Sequence, residues 1–277
     1  MRKHLSTIAL VLVLLAGLSL MLYPTVSDWW NSMHQSRAIA SYSDMVAELD
    51  HSRFDELLAQ ARAYNETLLG RDGRFVMSEE EQAVYDSLLD VSGTGIMGYV
   101  EIPKIDCSLP IYHGTSEGVL QIAVGHIEGS SLPTGGAGTH CVLSGHRGLP
   151  SARIFTSLDK LATGDTFMLH VLGETLTYEV DQILTVLPED VSALEIDPQA
   201  DLCTLVTCTP YGINTHRLLV RGTRIENEPQ AQTVRVTSDA VQIEPLLVAP
   251  VLAAPVLLIL LLVLLLPGKQ KRKKEED

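Results

Sequence analysis

Positive charge is scarce in the body of this 277-residue chain. Residues 1–4 and 269–277 hold seven of its 20 Lys and Arg, which leaves 13 basic residues against 31 acidic ones in between. A surface that acidic, with no internal basic stripe, repels a phosphate backbone and excludes nucleic acid as a partner. Cysteine is also sparse: Cys107, Cys141, Cys203 and Cys208 include no Cys-x-x-Cys pair, and their spacings to histidine match no structural zinc site. No metal is expected. Internal repeats are absent, which excludes a repeat architecture. The composition that remains, 46% apolar, is globular with something apolar added.

Charge is missing altogether from two long runs. Residues 5–23 carry none, follow Arg2 and Lys3, and are followed by Pro24, Trp29 and Trp30. The run is long enough to cross a bilayer, and no small-x-small cleavage site follows it, so an uncleaved anchor is expected. Residues 246–267 form a second Leu-rich stretch that runs into Lys269, Lys271, Arg272, Lys273 and Lys274. Basic flanks on both outer sides put both termini in the cytoplasm and the acidic middle outside a two-pass membrane protein. The expected division is a cytoplasmic tip at 1–4, membrane helices at 5–23 and 246–267, a helical extension at 24–91, a catalytic domain at 92–226, a linker at 227–245 and a basic tail at 268–277.

Within the outer part, apolar residues recur in steps of three and four from Ile39 to Leu68, which predicts amphipathic helix broken near Asp50 and His51. Ser78-Glu79-Glu80-Glu81 is a capping box opening a helix over 78–89, and Gly70-Arg71-Asp72-Gly73-Arg74-Phe75 between them reads as a loop. After Val91 the texture changes to short β-rich runs separated by turns, at 97–102, 141–143, 166–171, 175–180, 203–207 and 217–221. These predict a mainly β domain, a closed or sandwiched antiparallel sheet, with short helical inserts at 119–124 and 152–160.

Geometry removes one disulfide. Cys203 and Cys208 lie five residues apart in one strand, about 16 Å at about 3.3 Å per residue, and a disulfide needs Cα atoms within about 7 Å. Cys107, Cys141 and Cys203 read as small buried hydrophobes. Cys208 differs, because it closes the run Thr204-Leu205-Val206-Thr207 and opens the turn Thr209-Pro210-Tyr211-Gly212, where a rigid scaffold presents a reactive group. His146 stands at a second strand-to-loop junction, between Gly145 and Arg147-Gly148. Arg217 begins the strand after the Cys208 turn and can stand at the same rim. A free thiol needs a nearby base or positive charge to act as a nucleophile at neutral pH. Histidine can move its proton. Arginine can hold the oxygen that becomes negative in a tetrahedral intermediate.

Thr204-Leu205-Val206-Thr207-Cys208, Arg217 nine residues on, Leu143-Ser144-Gly145-His146-Arg147-Gly148 upstream and Glu101-Ile102-Pro103-Lys104-Ile105 together resemble the class C, pilin-polymerising sortases. The resemblance covers residues 36–226. It implies a closed eight-stranded β-barrel of the sortase type and a cysteine transpeptidase of Gram-positive cell surfaces. Such an enzyme cleaves a Leu-Pro-x-Thr-Gly-like signal after Thr, holds the product as a thioester, and passes it to a lysine amine of the next pilin. Mapped here, Cys208 is the nucleophile, His146 the general acid and base, and Arg217 the oxyanion or substrate cation. Thr207 and Leu205 are candidates for the groove that receives the signal, and no cofactor is needed. The expected partners are pilins or surface proteins bearing such a signal, a pilin lysine as acceptor, and the membrane.

One feature departs from the class. Its lid commonly carries Asp-Pro-aromatic, whereas the corresponding region here has no Asp-Pro; the loop at 70–77 is expected to cover the cleft with Asp72 or Phe75 as the plug. Two other outcomes share this chemistry: a sortase of another class anchoring proteins to peptidoglycan, and a peptidase that gives the acyl group to water. A surface scaffold with a merely buried Cys208 is the non-enzymatic alternative.

Overall fold

Three helices precede the sheet. In the computed structural model α1 (Arg2–Ala47) runs unbroken through Pro24. The sequence suggests an anchor at 5–23 and a separate helical period from Ile39, so this continuity is a difference. An interior proline costs one main-chain hydrogen bond, and the helix continues past it. The structure describes residues 2–149 and 152–227; the linker beyond 227, the second expected membrane helix and the basic tail lie outside the described residues. Contacts set residues 2–22 apart from the unit that begins at Tyr23, and that unit carries the sheet.

Asp28, Gln35 and Tyr42 stand seven residues apart on α1 and therefore share one face. Each is bonded to the main chain of the sheet domain. Asp28 accepts from the Arg153 N–H at 2.9 Å, Gln35 donates to Ile122 O at 2.6 Å, and Tyr42 donates to Met97 O at 3.0 Å while accepting from Leu172 N–H at 2.8 Å. Burial pushes the Tyr42 phenol up to about 12. α2 (His51–Leu68) starts where the broken period places it, with the Asp50 carboxylate accepting from Arg53 N–H at 2.7 Å. α3 (Glu79–Ser87) opens on the capping box, in which the Ser78 hydroxyl and the Glu81 carboxylate each accept from the other residue's N–H.

Eight strands follow: β1 (Ile96–Ile102), β2 (Cys107–His113), β3 (Val124–His126), β4 (Thr139–Ser144), β5 (Thr166–Val171), β6 (Glu174–Val186), β7 (Asp201–Thr209) and β8 (His216–Ile225). They close into a barrel in the order β1-β2-β3-β4-β7-β8-β6-β5. The expectation of an antiparallel sheet is corrected at two seams, because β2 pairs with β3 and β4 with β7 in parallel. The expected inserts are also shorter. Over 119–124 only the end of α4 (Glu117–Leu120) is helical, and over 152–160 only the 3₁₀ turn Leu158–Lys160.

The barrel closes where residues are small. At Gly98 a side chain would meet His170 O at 2.5 Å across the β1–β5 seam, and at Gly222 it would meet the Phe167 ring at 2.8 Å. Phe167 and Tyr178 stack there with centroids 5.6 Å apart. Alternation along β7 then separates two clusters. Cys203 and Leu205 point into the main core with Cys141 and Leu143. Val206 joins Val142, Leu194 and Leu219 in a second cluster on the outer face. All four cysteines are free. Burial raises the Cys107 thiol to about 12 and, with the adjoining Cys141, raises the Cys203 thiol as well, so neither is a ready nucleophile at neutral pH.

Candidate active site

The parallel register of β4 and β7 does most of the construction. Ser144 lies beside Val206, Gly145 N–H donates to Val206 O at 3.0 Å, and the Thr207 hydroxyl donates to Gly145 O at 2.7 Å. His146 follows Gly145 as Cys208 follows Thr207, so this register, continued one step past its last paired residues, would bring the two side by side. On the other side of β7, Cys208 pairs directly with Arg217 of antiparallel β8. Of the three residues expected from the sequence, Cys208 and Arg217 are cross-strand neighbours, and His146 lies in the loop two residues past the end of β4, the strand on the other side of β7. All three are partly exposed.

Each has local support. Gly145 has no room for a side chain, since a Cβ would lie 2.7 Å from the fully buried Phe155 ring. The loop bearing His146 is seated on that ring, and His146 O accepts from Phe155 N–H at 3.0 Å. Arg217 is steered by the turn before it, donating from Nη1 to Asn214 O at 3.3 Å and His216 O at 3.2 Å. Cys208 lies on the Val206 face of β7, so the second apolar cluster forms the floor beside it.

Thr207 and Leu205 do not line that floor. Both have odd parity on β7 and turn away from Cys208: Leu205 is fully buried in the main core, and Thr207 is buried with its hydroxyl on Gly145 O. The contacts that the structure gives these two are structural, and their burial does not favour the groove expectation.

The loop at 70–77 does reach this face. Phe75 packs against the second cluster, whereas Asp72 is exposed and has no ion pair or hydrogen bond among the described residues. Arg74, which the sequence reading passed over, is the anchor. Its side chain is only 4% exposed, donates from Nη2 to Leu194 O at 2.6 Å, pairs with Glu195 at 3.3 Å, and lies 4.5 Å from the Phe75 ring centre. Gly129 is the seat beneath it: its φ is +79°, and a Cβ would stand 2.1 Å from Arg74 O.

His140 fixes the segment that Arg74 grips. Fully buried on β4, it bonds Glu195 O through Nδ1 at 2.8 Å and the Thr204 hydroxyl through Nε2 at 2.7 Å. Burial holds it below the ordinary imidazole range. The folded chain therefore binds fewer protons at this group than the unfolded chain once the pH falls below about 6.5, so its contribution to stability is lost on acidification. Denaturant midpoints should fall between pH 7.5 and 5.5, and the fall should be smaller in His140→Gln; equal slopes would contradict the assignment.

With the geometry in place, residues 100–225 match the sortase domain family. Sortase C1 from Streptococcus agalactiae is 51% identical, with a TM-score of 0.66 over 69% of this chain and 100% of that one. The chain belongs to the sortase family of cysteine transpeptidases. Sortase C from Streptococcus pneumoniae is 43% identical with a TM-score of 0.60 (69% and 97% covered), and a lid mutant of sortase A from Corynebacterium diphtheriae is 41% identical with a TM-score of 0.61 (66% and 98% covered). Sortase D from Bacillus subtilis is 32% identical over 131 residues, which are 46% of this chain and 63% of that relative's length. Class C sortases are thus among the structural neighbours of this sortase, and the expected eight-stranded barrel is the observed one.

Proposed function

We propose that this sortase cleaves a Leu-Pro-x-Thr-Gly-like signal after Thr and transfers the acyl part to a lysine amine of a pilin. The observation that supports the reading is the direct pairing of Cys208 with Arg217 beside the β4–β7 seam, whose register runs toward His146. The Cys208 thiol passes its proton to His146 and its sulfur attacks the Thr carbonyl carbon, while the Arg217 guanidinium holds the oxygen as it becomes negative. His146 gives a proton to the Gly amine as the C–N bond breaks, leaving a thioester on Cys208. The acceptor amine then attacks that thioester, His146 takes its proton, and the sulfur leaves. Arginine suits the oxyanion role because its charge does not titrate near neutral pH.

The pilin assignment leans on the class C neighbours, one of which is described in terms of pilin substrate specificity. For the membrane assignment, the support is an 18-residue stretch of mean hydropathy 2.1 in the first helix, followed by exposed Trp29 and Trp30 at a position suited to a membrane interface. The reading includes the two-pass topology, with both termini cytoplasmic and the barrel outside. The loop at 70–77 is the lid, with Phe75 as its plug and Arg74 as its latch, in keeping with a lid in the related Corynebacterium enzyme.

Acceptor choice separates this reading from its two rivals. The full chain in detergent, given a signal peptide and a lysine-bearing pilin peptide, should yield an isopeptide-linked product. Hydrolysed peptide alone would indicate a peptidase, and transfer only to a peptidoglycan stem amine would indicate an anchoring sortase.

A further inference from the structure

Arg147 is not used in the chemistry above, yet its side chain is only 10% exposed. Nη2 bonds Asp159 at 2.6 Å, Nη1 donates to the Thr209 hydroxyl at 3.4 Å, and the guanidinium carbon lies 5.8 Å from the Tyr211 ring centre. Its Nε–H is buried with no acceptor among the described residues. The partners come from three segments. Asp159 sits in the 3₁₀ turn after the His146 loop, Thr209 ends β7, and Tyr211 lies in the turn to β8. Tyr211 also covers Gly148, where a Cβ would be 2.7 Å from the ring.

The register gives these contacts a meaning. Main-chain bonding between β4 and β7 ends at Gly145 N–H to Val206 O. Beyond that point the two segments are tied by side chains: Thr207 to Gly145 O on one side of the His146–Cys208 step, and Arg147 to Thr209 on the other. We propose that Arg147 is a positioning residue, which continues the β4–β7 register one step past the ladder and so fixes His146 relative to Cys208. This rests on the transpeptidase reading.

The guanidinium shape is essential to the role. A planar fork can reach a carboxylate and a hydroxyl while lying on a ring, whereas an ammonium on a flexible stem is a point charge. Asp159 neutralises the charge that burial would otherwise leave uncompensated. Loosening the clamp should affect proton transfer more than signal binding, because transfer demands hydrogen-bond reach between fixed groups, and a misplacement of about 1 Å is enough to cost about 10²-fold.

The test is acyl-enzyme formation by the full chain in detergent with a Leu-Pro-x-Thr-Gly peptide, comparing wild type, Arg147→Gln, Arg147→Lys and Thr209→Val. Thr209→Val removes one contact at a partly exposed site and guards against a variant that fails to fold. The proposal expects kcat to fall about 10²-fold in Arg147→Gln with KM within about threefold, no rescue by Lys, and a smaller fall of the same kind in Thr209→Val. Full activity of the Lys variant, or losses that simply follow the folded fraction, would overturn it. A wild type that forms no acyl-enzyme would instead overturn the transpeptidase reading, and this proposal with it.

Discussion

Changing His146 to alanine is expected to leave the barrel intact and to slow acylation of Cys208 by about 10²–10⁴-fold, the contribution of a positioned acid–base group. Among the described residues this side chain makes no hydrogen bond or ion pair. What the structure uses is the His146 carbonyl, which accepts from Phe155 N–H and is retained by alanine. The thermal midpoint should therefore stay close to that of the wild type while activity collapses. Arg217→Lys makes the complementary case. Lysine keeps the charge but loses the rigid fork and the bonds to Asn214 O and His216 O, and acylation should fall about 10²-fold, the cost of losing one oxyanion donor. Near wild-type rates in either variant, measured as thioester formed per unit time, would remove that residue from the mechanism.

The second large effect concerns access. Phe75→Ala removes the ring that covers the outer cluster beside Val206. Labelling of Cys208 by a thiol reagent should speed up about tenfold, the factor that 1.4 kcal/mol of lost contact gives an opening equilibrium. Gly129→Ala should act in the same direction, because its Cβ would collide with the Arg74 carbonyl and unseat the loop. Asp72→Asn should leave the rate alone, since this carboxylate is exposed and has no partner among the described residues. Equal labelling in the wild type and in both of the first two variants would show that the loop does not shield the thiol.

These expectations mark how far the sequence could be read. Cys208, His146 and Arg217 stood out as candidates because each lies near the end of a strand with a clear apolar run, and β4, β7 and β8 are neighbours in the sheet. The breaks at Asp50 and Ser78 were legible because capping is local. β2 and β3 were not, since Pro110 interrupts the first and the second has three residues. The parallel β4–β7 seam was invisible for a different reason: its register joins residues about sixty positions apart. That register also decides which side of β7 each residue faces, and so why Thr207 and Leu205 serve the core.

Arg74, His140 and Arg147 escaped the sequence reading for the same reason. In the chain, Arg74 is one charge among several in a polar loop, and its partners Leu194 and Glu195 lie some 120 positions away. Burial distinguishes these residues, and burial of a polar side chain follows from tertiary contacts that no local pattern encodes. One clue was present. Arg147 directly follows His146, in a segment already singled out for its chemistry.

The most direct test of the central claim is intact mass spectrometry of the full chain in detergent after incubation with a Leu-Pro-x-Thr-Gly peptide, comparing wild type with Cys208→Ala. The account predicts an adduct equal to the peptide through its Thr, lost on treatment with hydroxylamine and absent from Cys208→Ala. An adduct that persists in Cys208→Ala, or no adduct in either the wild type or Phe75→Ala, would contradict it.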